Sequence, residues 1–166
     1  MYLMKKVSML FALLLISSLA FAQSDYQATK PGWLVNLDEA YKISKETGKP
    51  ILANFTGSDW CGWCKRLDAS VFQKDEFKQW ADKNVVLLEL DFPRRTQVPN
   101  EIKQQNQALQ QSFGVRGYPT IWVFNLDKNS ESGQYEIEAL GKTGYTATVG
   151  DFTGGVDQMI DKKKGK

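Results

Sequence analysis

The chain has 166 residues, 42% hydrophobic and 24% charged, which is ordinary composition for one globular domain and excludes a disordered or fibrous chain. Its formal charge is +2, and it contains two cysteines and no histidine. Without histidine, Ser-His-Asp and Cys-His catalysis are excluded, and a four-ligand zinc set would need carboxylates or a second chain.

Residues 1–22 read as a signal peptide. Lys5 and Lys6 form a basic start, and Met9 to Leu19 is an apolar run too short for a comfortable membrane span. Ala20-Phe21-Ala22 then offers a small-x-small cleavage site ahead of Gln23. Lys5 and Lys6 are the only charged residues in that segment, so its removal leaves 19 basic residues against 19 acidic ones. The exported chain is formally neutral, and the basic excess implies no nucleic-acid partner. Export, to the periplasm or beyond the cell, places both cysteines in an oxidising compartment.

Residues 23–36, with Lys30-Pro31-Gly32, read as a polar linker into a domain spanning 37–163, and 164–166 as a basic tail. Leu37, Ala40, Tyr41 and Ser44 recur at helical spacing, with Asn36 or Asp38 as cap and Gly48 as stop. Pro50 blocks continuation, and Ile51 to Phe55 follows as a buried strand. The next helix holds Cys61 near its start and Cys64 in its first turn, with Leu67, Val71 and Phe72 as an inner face; Phe77 and Trp80 mark a second helical stretch. Val85 to Leu90 is a strand ending at Asp91. Glu101 to Phe113 is rich in Gln, but Ile102, Leu109 and Phe113 share one side and Gly114 can stop it, so an exposed helix is expected. Thr120 to Phe124 and Tyr135 to Leu140 are further strands. A last helix from about Asp151 packs Phe152, Val156, Met159 and Ile160, weakened by Gly154-Gly155. Alternating strands and helices that close on a hairpin describe a mixed-sheet α/β domain.

The two cysteines stand two residues apart in Phe55-Thr56-Gly57-Ser58-Asp59-Trp60-Cys61-Gly62-Trp63-Cys64-Lys65, at a strand-to-helix junction. A thiol there meets the free N–H groups and positive end of a helix, which favour its thiolate, the species that attacks disulfides. The bland alternative is a structural staple, but bridging 61 and 64 closes so small a loop that the unfolded chain is hardly constrained.

Ile51-Leu52-Ala53-Asn54-Phe55, Trp60-Cys61-Gly62-Trp63-Cys64-Lys65 and Phe113-Gly114-Val115-Arg116-Gly117-Tyr118-Pro119-Thr120 together resemble the thioredoxin superfamily. The resemblance covers roughly residues 37 to 163, and in detail it is similar to exported members with Asp-Trp-Cys-x-x-Cys-Lys. It implies a thioredoxin-like fold, with a central mixed sheet flanked by helices. It also implies a cis proline at Pro119, with the backbone of Tyr118 pairing with extended substrate. Cys61 is the expected nucleophile and Cys64 the resolving thiol, while Trp60, Trp63 and Tyr118 form an apolar collar for substrate. One departure stands out: where many thioredoxins carry a buried Asp in the strand before the cysteines, this chain has Asn54, which cannot titrate. Asp59 is a near but exposed substitute, and Glu89 and Asp91 are remoter ones.

The expected function is an exported thiol–disulfide oxidoreductase that reduces protein or peptide disulfides and is recharged by a membrane-bound electron donor. Its redox group is the Cys61–Cys64 disulfide, with no other cofactor and no metal. The alternatives are a disulfide oxidase or isomerase, or a non-catalytic module that keeps the fold for binding.

Overall fold

Why a dithiol at 61 and 64 is held rigidly follows from the strand beneath it. The computed structural model describes residues 26–164; the signal peptide expected over 1–22 lies outside the described residues. In chain order the elements are α1 (Leu37–Thr47), β1 (Ile51–Thr56), α2 (Gly62–Leu67), a π-type turn (Asp68–Phe72), α3 (Asp75–Asn84), β2 (Val86–Asp91), α4 (Asn100–Ser112), β3 (Thr120–Lys128), β4 (Tyr135–Thr143) and α5 (Val149–Lys164). The sheet order is β2-β1-β3-β4, with β1 parallel to β2 and antiparallel to β3, and β3 antiparallel to β4.

β1 is an interior strand, and all six of its residues are buried. Its side chains alternate between two cores. Leu52 joins Trp33, Leu67, Phe72, Phe77, Ile121 and Phe152 on one face; Ile51, Ala53 and Phe55 join Leu37, Leu88, Leu109 and Phe124 on the other. The same alternation puts Asn54 and Thr56 on the Leu52 face, under α2. α1 behaves as its spacing predicts: the Asn36 side chain accepts a hydrogen bond from Glu39 N–H, and Gly48 ends the helix at φ 69°. That left-handed position suits glycine.

Two elements differ from expectation. The Gln-rich α4 is not merely a solvated helix, because Asn106 is fully buried and its Nδ2 donates to the Asp91 carbonyl at 3.1 Å. Gln105 accepts from Leu37 N–H at 2.8 Å and donates to the Val35 carbonyl at 2.9 Å, tying α4 to the start of α1. α5 runs unbroken through Gly154-Gly155. Burial of Phe152 and Val156 in the core offsets the helix penalty of two glycines.

The linker expected over 23–36 is corrected by the structure. Over its described part it is a strap bound to the domain. Leu34 bridges to Leu88 in parallel fashion, extending the sheet past β2. Trp33 is 7% exposed and packs its ring against Phe72 and Phe77 at 5.0 and 6.4 Å between centroids. Glu89, with a fully buried side chain, accepts from the Thr29 N–H and hydroxyl, both at 2.7 Å, and pairs with the Lys30 ammonium. A buried carboxylate is tolerable only with such partners. Polar composition misled the reading because those polar groups serve Glu89 rather than water.

Trp33→Ala is therefore expected to reduce the free energy of unfolding by about 3–5 kcal/mol, as for other buried large aromatics. A denaturant titration reads this directly; a change below about 0.5 kcal/mol, as at a neutral surface site, would restore the linker reading.

Candidate active site

The dithiol sits where β1 leaves the sheet and α2 begins. Cys61 is the N-cap of α2, in extended conformation, and its sulfur accepts a hydrogen bond from Cys64 N–H at 3.2 Å. Cys61 and Cys64 are joined as a disulfide. Each is 6% exposed, so accessibility does not separate them; position on the helix does. When the bridge is opened, Cys61 is left with the N–H of Cys64 and the positive helix end, both of which stabilise a thiolate. The sequence predicted this field and the free N–H groups of the helix start, but not which N–H meets the sulfur.

The Trp60 indole is wedged between three partners. It lies over Gly57, where an added Cβ would stand 2.5 Å from the ring. Its Nε1–H donates to the Phe92 carbonyl at 2.9 Å, and its ring meets Tyr118 edge-on at 5.8 Å. Gly57 is thus required for close approach, a constraint that only the folded loop reveals. Asp59 turns its carboxylate to the β2–α4 loop, accepting from Arg94 N–H at 3.0 Å and Arg95 N–H at 2.6 Å. These backbone hydrogen bonds, Arg94's first, hold its carboxyl below the ordinary value. Asp59 is a loop clamp.

The Tyr118–Pro119 peptide is cis. The Tyr118 hydroxyl accepts from Gln110 at 2.6 Å, and its ring stacks on Phe92 at 5.3 Å; burial pushes the phenol up. The three aromatics grouped as a collar therefore divide. Trp60 and Tyr118 brace each other, while Trp63 is 54% exposed and rests on Tyr145, itself 40% exposed, at 5.0 Å. Tyr145 escaped the sequence reading, because a lone Tyr in the loop after β4 carries no local signal.

Beneath Cys64 a cleft of about 1070 Å³ is lined by Asn54, Thr56, Lys30 and Asp68. Asn54 Oδ1 is buried without a hydrogen-bond partner. Asp68 Oδ1 is likewise without a hydrogen bond, and Lys30 Nζ lies 3.9 Å from it. Asp68 is four residues beyond Cys64, one helical turn on, a spacing that sequence alone could have flagged. Lys30, brought in by the strap, could not have been found that way. Of the expected substitutes for the missing carboxyl, Glu89 is engaged by Thr29 and Lys30, and Asp91 accepts from Ser58 N–H at 2.9 Å and from the Ser58 hydroxyl.

With that geometry in hand, comparison with known proteins is direct. The thioredoxin-like domain model matches residues 37–143. The disulfide bond reductase DsbH of Chlamydia pneumoniae is 35% identical over 128 residues, covering 74% of this chain and 76% of that protein. The thioredoxin-related protein DsbJ of the same organism is 32% identical over 141 residues, covering 83% of this chain but only 39% of its own length. A solved DsbH oxidoreductase structure superposes with TM-score 0.66 at 28% identity, over 82% of this chain and 93% of that one. A thioredoxin from Thermus thermophilus, 15% identical with TM-score 0.52, covers 75% and 83% and shares the fold. The chain belongs to the thioredoxin-like domain family. Its CXXC pair makes it a thiol–disulfide oxidoreductase.

Asp91 supplies a pH test of the site's scaffold. Burial raises its carboxyl above the ordinary 3.8, against the lowering effect of the Ser58 hydrogen bonds. A carboxyl raised in the folded state keeps its proton longer there, so stability falls as pH rises from 3.8 through the folded value. Asp91→Asn should therefore gain stability relative to the parent over that window and hold a constant difference above it. Denaturation at a series of pH values measures this; a difference independent of pH would refute the assignment.

Proposed function

We propose that this protein is an exported reductant of protein or peptide disulfides, and that a membrane-bound electron donor recharges it. The observation that carries the reading is Cys61 at the cap of α2 with the Cys64 N–H on its sulfur. The name of the relative from Chlamydia pneumoniae, a disulfide bond reductase, supports the direction. Among the described residues no helix is long and apolar enough to cross a membrane.

In the reduced protein, the Cys61 thiolate attacks one sulfur of the substrate disulfide. A Cys61–substrate bond forms, and the other substrate sulfur leaves as thiolate and takes a proton. Cys64 then loses its proton and attacks Cys61, forming the Cys61–Cys64 bond and releasing the second substrate thiol. Two electrons pass to the substrate, and the protein is left oxidised. Trp63 and Pro119 border this path, and the backbone of Tyr118 is the proposed pairing edge for substrate. Asn54 cannot take the Cys64 proton; Asp68, whose Oδ1 accepts no hydrogen bond in the same cleft, is the acceptor in this scheme.

One observation favours the opposite direction. Arg94 and Arg66 lie over Trp60 and Trp63, at 4.0 and 4.7 Å from the ring centroids, and cations near a thiolate stabilise the reduced form. That would make the pair a better oxidant or isomerase.

Two measurements decide. Cys64→Ser should accumulate trapped mixed disulfides with substrate while Cys61→Ser traps few; equal trapping would overturn the roles. A reduction potential near about −270 mV in glutathione buffers supports the reductant, and one between about −120 and −180 mV supports oxidase or isomerase. Inability to re-form the bridge would leave the non-catalytic binding module.

A further inference from the structure

The basic residues are not distributed evenly by type. The chain has 21 Lys and Arg but only four arginines, Arg66, Arg94, Arg95 and Arg116. Arg66 lies on α2, Arg94 and Arg95 in the β2–α4 loop that clamps Asp59, and Arg116 in the turn leading into Tyr118–Pro119. All four are exposed, and among the described residues none is paired with a carboxylate. Among the lysines, Lys65 shares α2 with Arg66 and donates to the Asp59 carbonyl at 3.0 Å, and Lys30 belongs to the strap.

Two of these arginines are already placed for binding. The Arg94 guanidinium lies over Trp60 and the Arg66 guanidinium over Trp63, on the two indoles that flank Cys61. Stacking holds a guanidinium plane against the ring and leaves its N–H edge free for a carboxylate, a geometry that lysine cannot offer. Asp59, the acidic side chain in the same stretch, accepts hydrogen bonds from the Arg94 and Arg95 N–H groups and forms no ion pair with either guanidinium, so its single charge offsets only part of theirs. The face is therefore cationic in a chain whose exported form is formally neutral.

We propose that the four arginines form a docking surface for an acidic peptide segment, in which Asp or Glu residues flank the disulfide to be exchanged. This inference rests on the oxidoreductase reading and adds the substrate class. Carboxylates beside the substrate cysteines meet the guanidinium edges, while the Trp63–Tyr145 pair supplies apolar contact. Complementary charge of this exposed kind acts mainly on encounter rate and is screened by salt.

The test uses the reduced protein and three synthetic peptides that share one disulfide loop and differ only in flanking residues: Asp/Glu, Gln or Lys. The ratio of second-order rates between acidic and basic peptides cancels any change in intrinsic Cys61 reactivity. At low salt that ratio is expected to be about tenfold, within the usual range of electrostatic steering, and to shrink as salt is raised. It should fall toward one when Arg66, Arg94, Arg95 and Arg116 are all changed to Gln. Arg95→Gln with Arg116→Gln, which leaves both stacked pairs intact, should give a partial loss and guards against a folding artefact. Equal rates for the three peptides would overturn this inference and leave the oxidoreductase reading standing. So would a preference that survives the fourfold change, or arginine-dependent binding to vesicles of anionic phospholipid with no peptide preference. Failure to exchange with any peptide would instead remove the oxidoreductase reading, and this inference with it.

Discussion

A single backbone hydrogen bond organises the active end of the molecule: the Cys64 N–H directed at the Cys61 sulfur. It exists only because β1 delivers the chain to a helix start at a fixed place. Interior strands move little, since both faces and both edges are occupied, and β1 is paired along its length with β2 on one side and β3 on the other. The loop from Gly57 to Trp60 converts that rigidity into a defined sulfur position. Its Trp60 indole is held by Gly57, the Phe92 carbonyl and Tyr118, so the residue before Cys61 cannot drift. The cap, the loop and the cis Pro119 turn are one packed unit.

The opposite side of the dithiol is built differently. Below Cys64 the sheet offers no titratable group on β1, and charged groups come from elsewhere: Asp68 from the turn after α2, and Lys30 from the strap. Glu89 binds that strap through Thr29 and Lys30. A buried carboxylate left without partners would be strongly destabilising, so strap and sheet need one another. The strap is structural for the fold and also a wall of the cleft beside Cys64. This explains why the folded unit begins earlier than hydrophobic periodicity suggests.

Charge divides along the same line. On the outer face Arg66 and Arg94 lie over tryptophans, while the nearby Asp59 and Asp91 accept hydrogen bonds from backbone N–H groups. In the cleft the cation and the carboxylates face each other. Placing unpaired cations outside and paired ones inside leaves the dithiol in a field that favours a thiolate at Cys61 without burying a lone charge.

Local chemistry was legible in the sequence because it depends on neighbours along the chain. The CXXC spacing, the junction of an apolar run with a helical pattern, the Gly48 stop and the order of strands and helices all follow from residue types within one or two turns. The same holds for the hydrophobic faces of α1 and α5. What tertiary structure alone decided involves partners far apart in sequence. Trp33 joins a core some forty residues away, Lys30 reaches Glu89, Trp60 is fixed by a carbonyl 32 residues on, and Trp63 meets Tyr145. A polar, glycine-containing strap reads as linker until its hydrogen-bond partners are known, and a tryptophan reads as collar until its ring contacts are. Periodicity reports which face is buried; it does not report against what, and the site's charge and shape depend on that second fact.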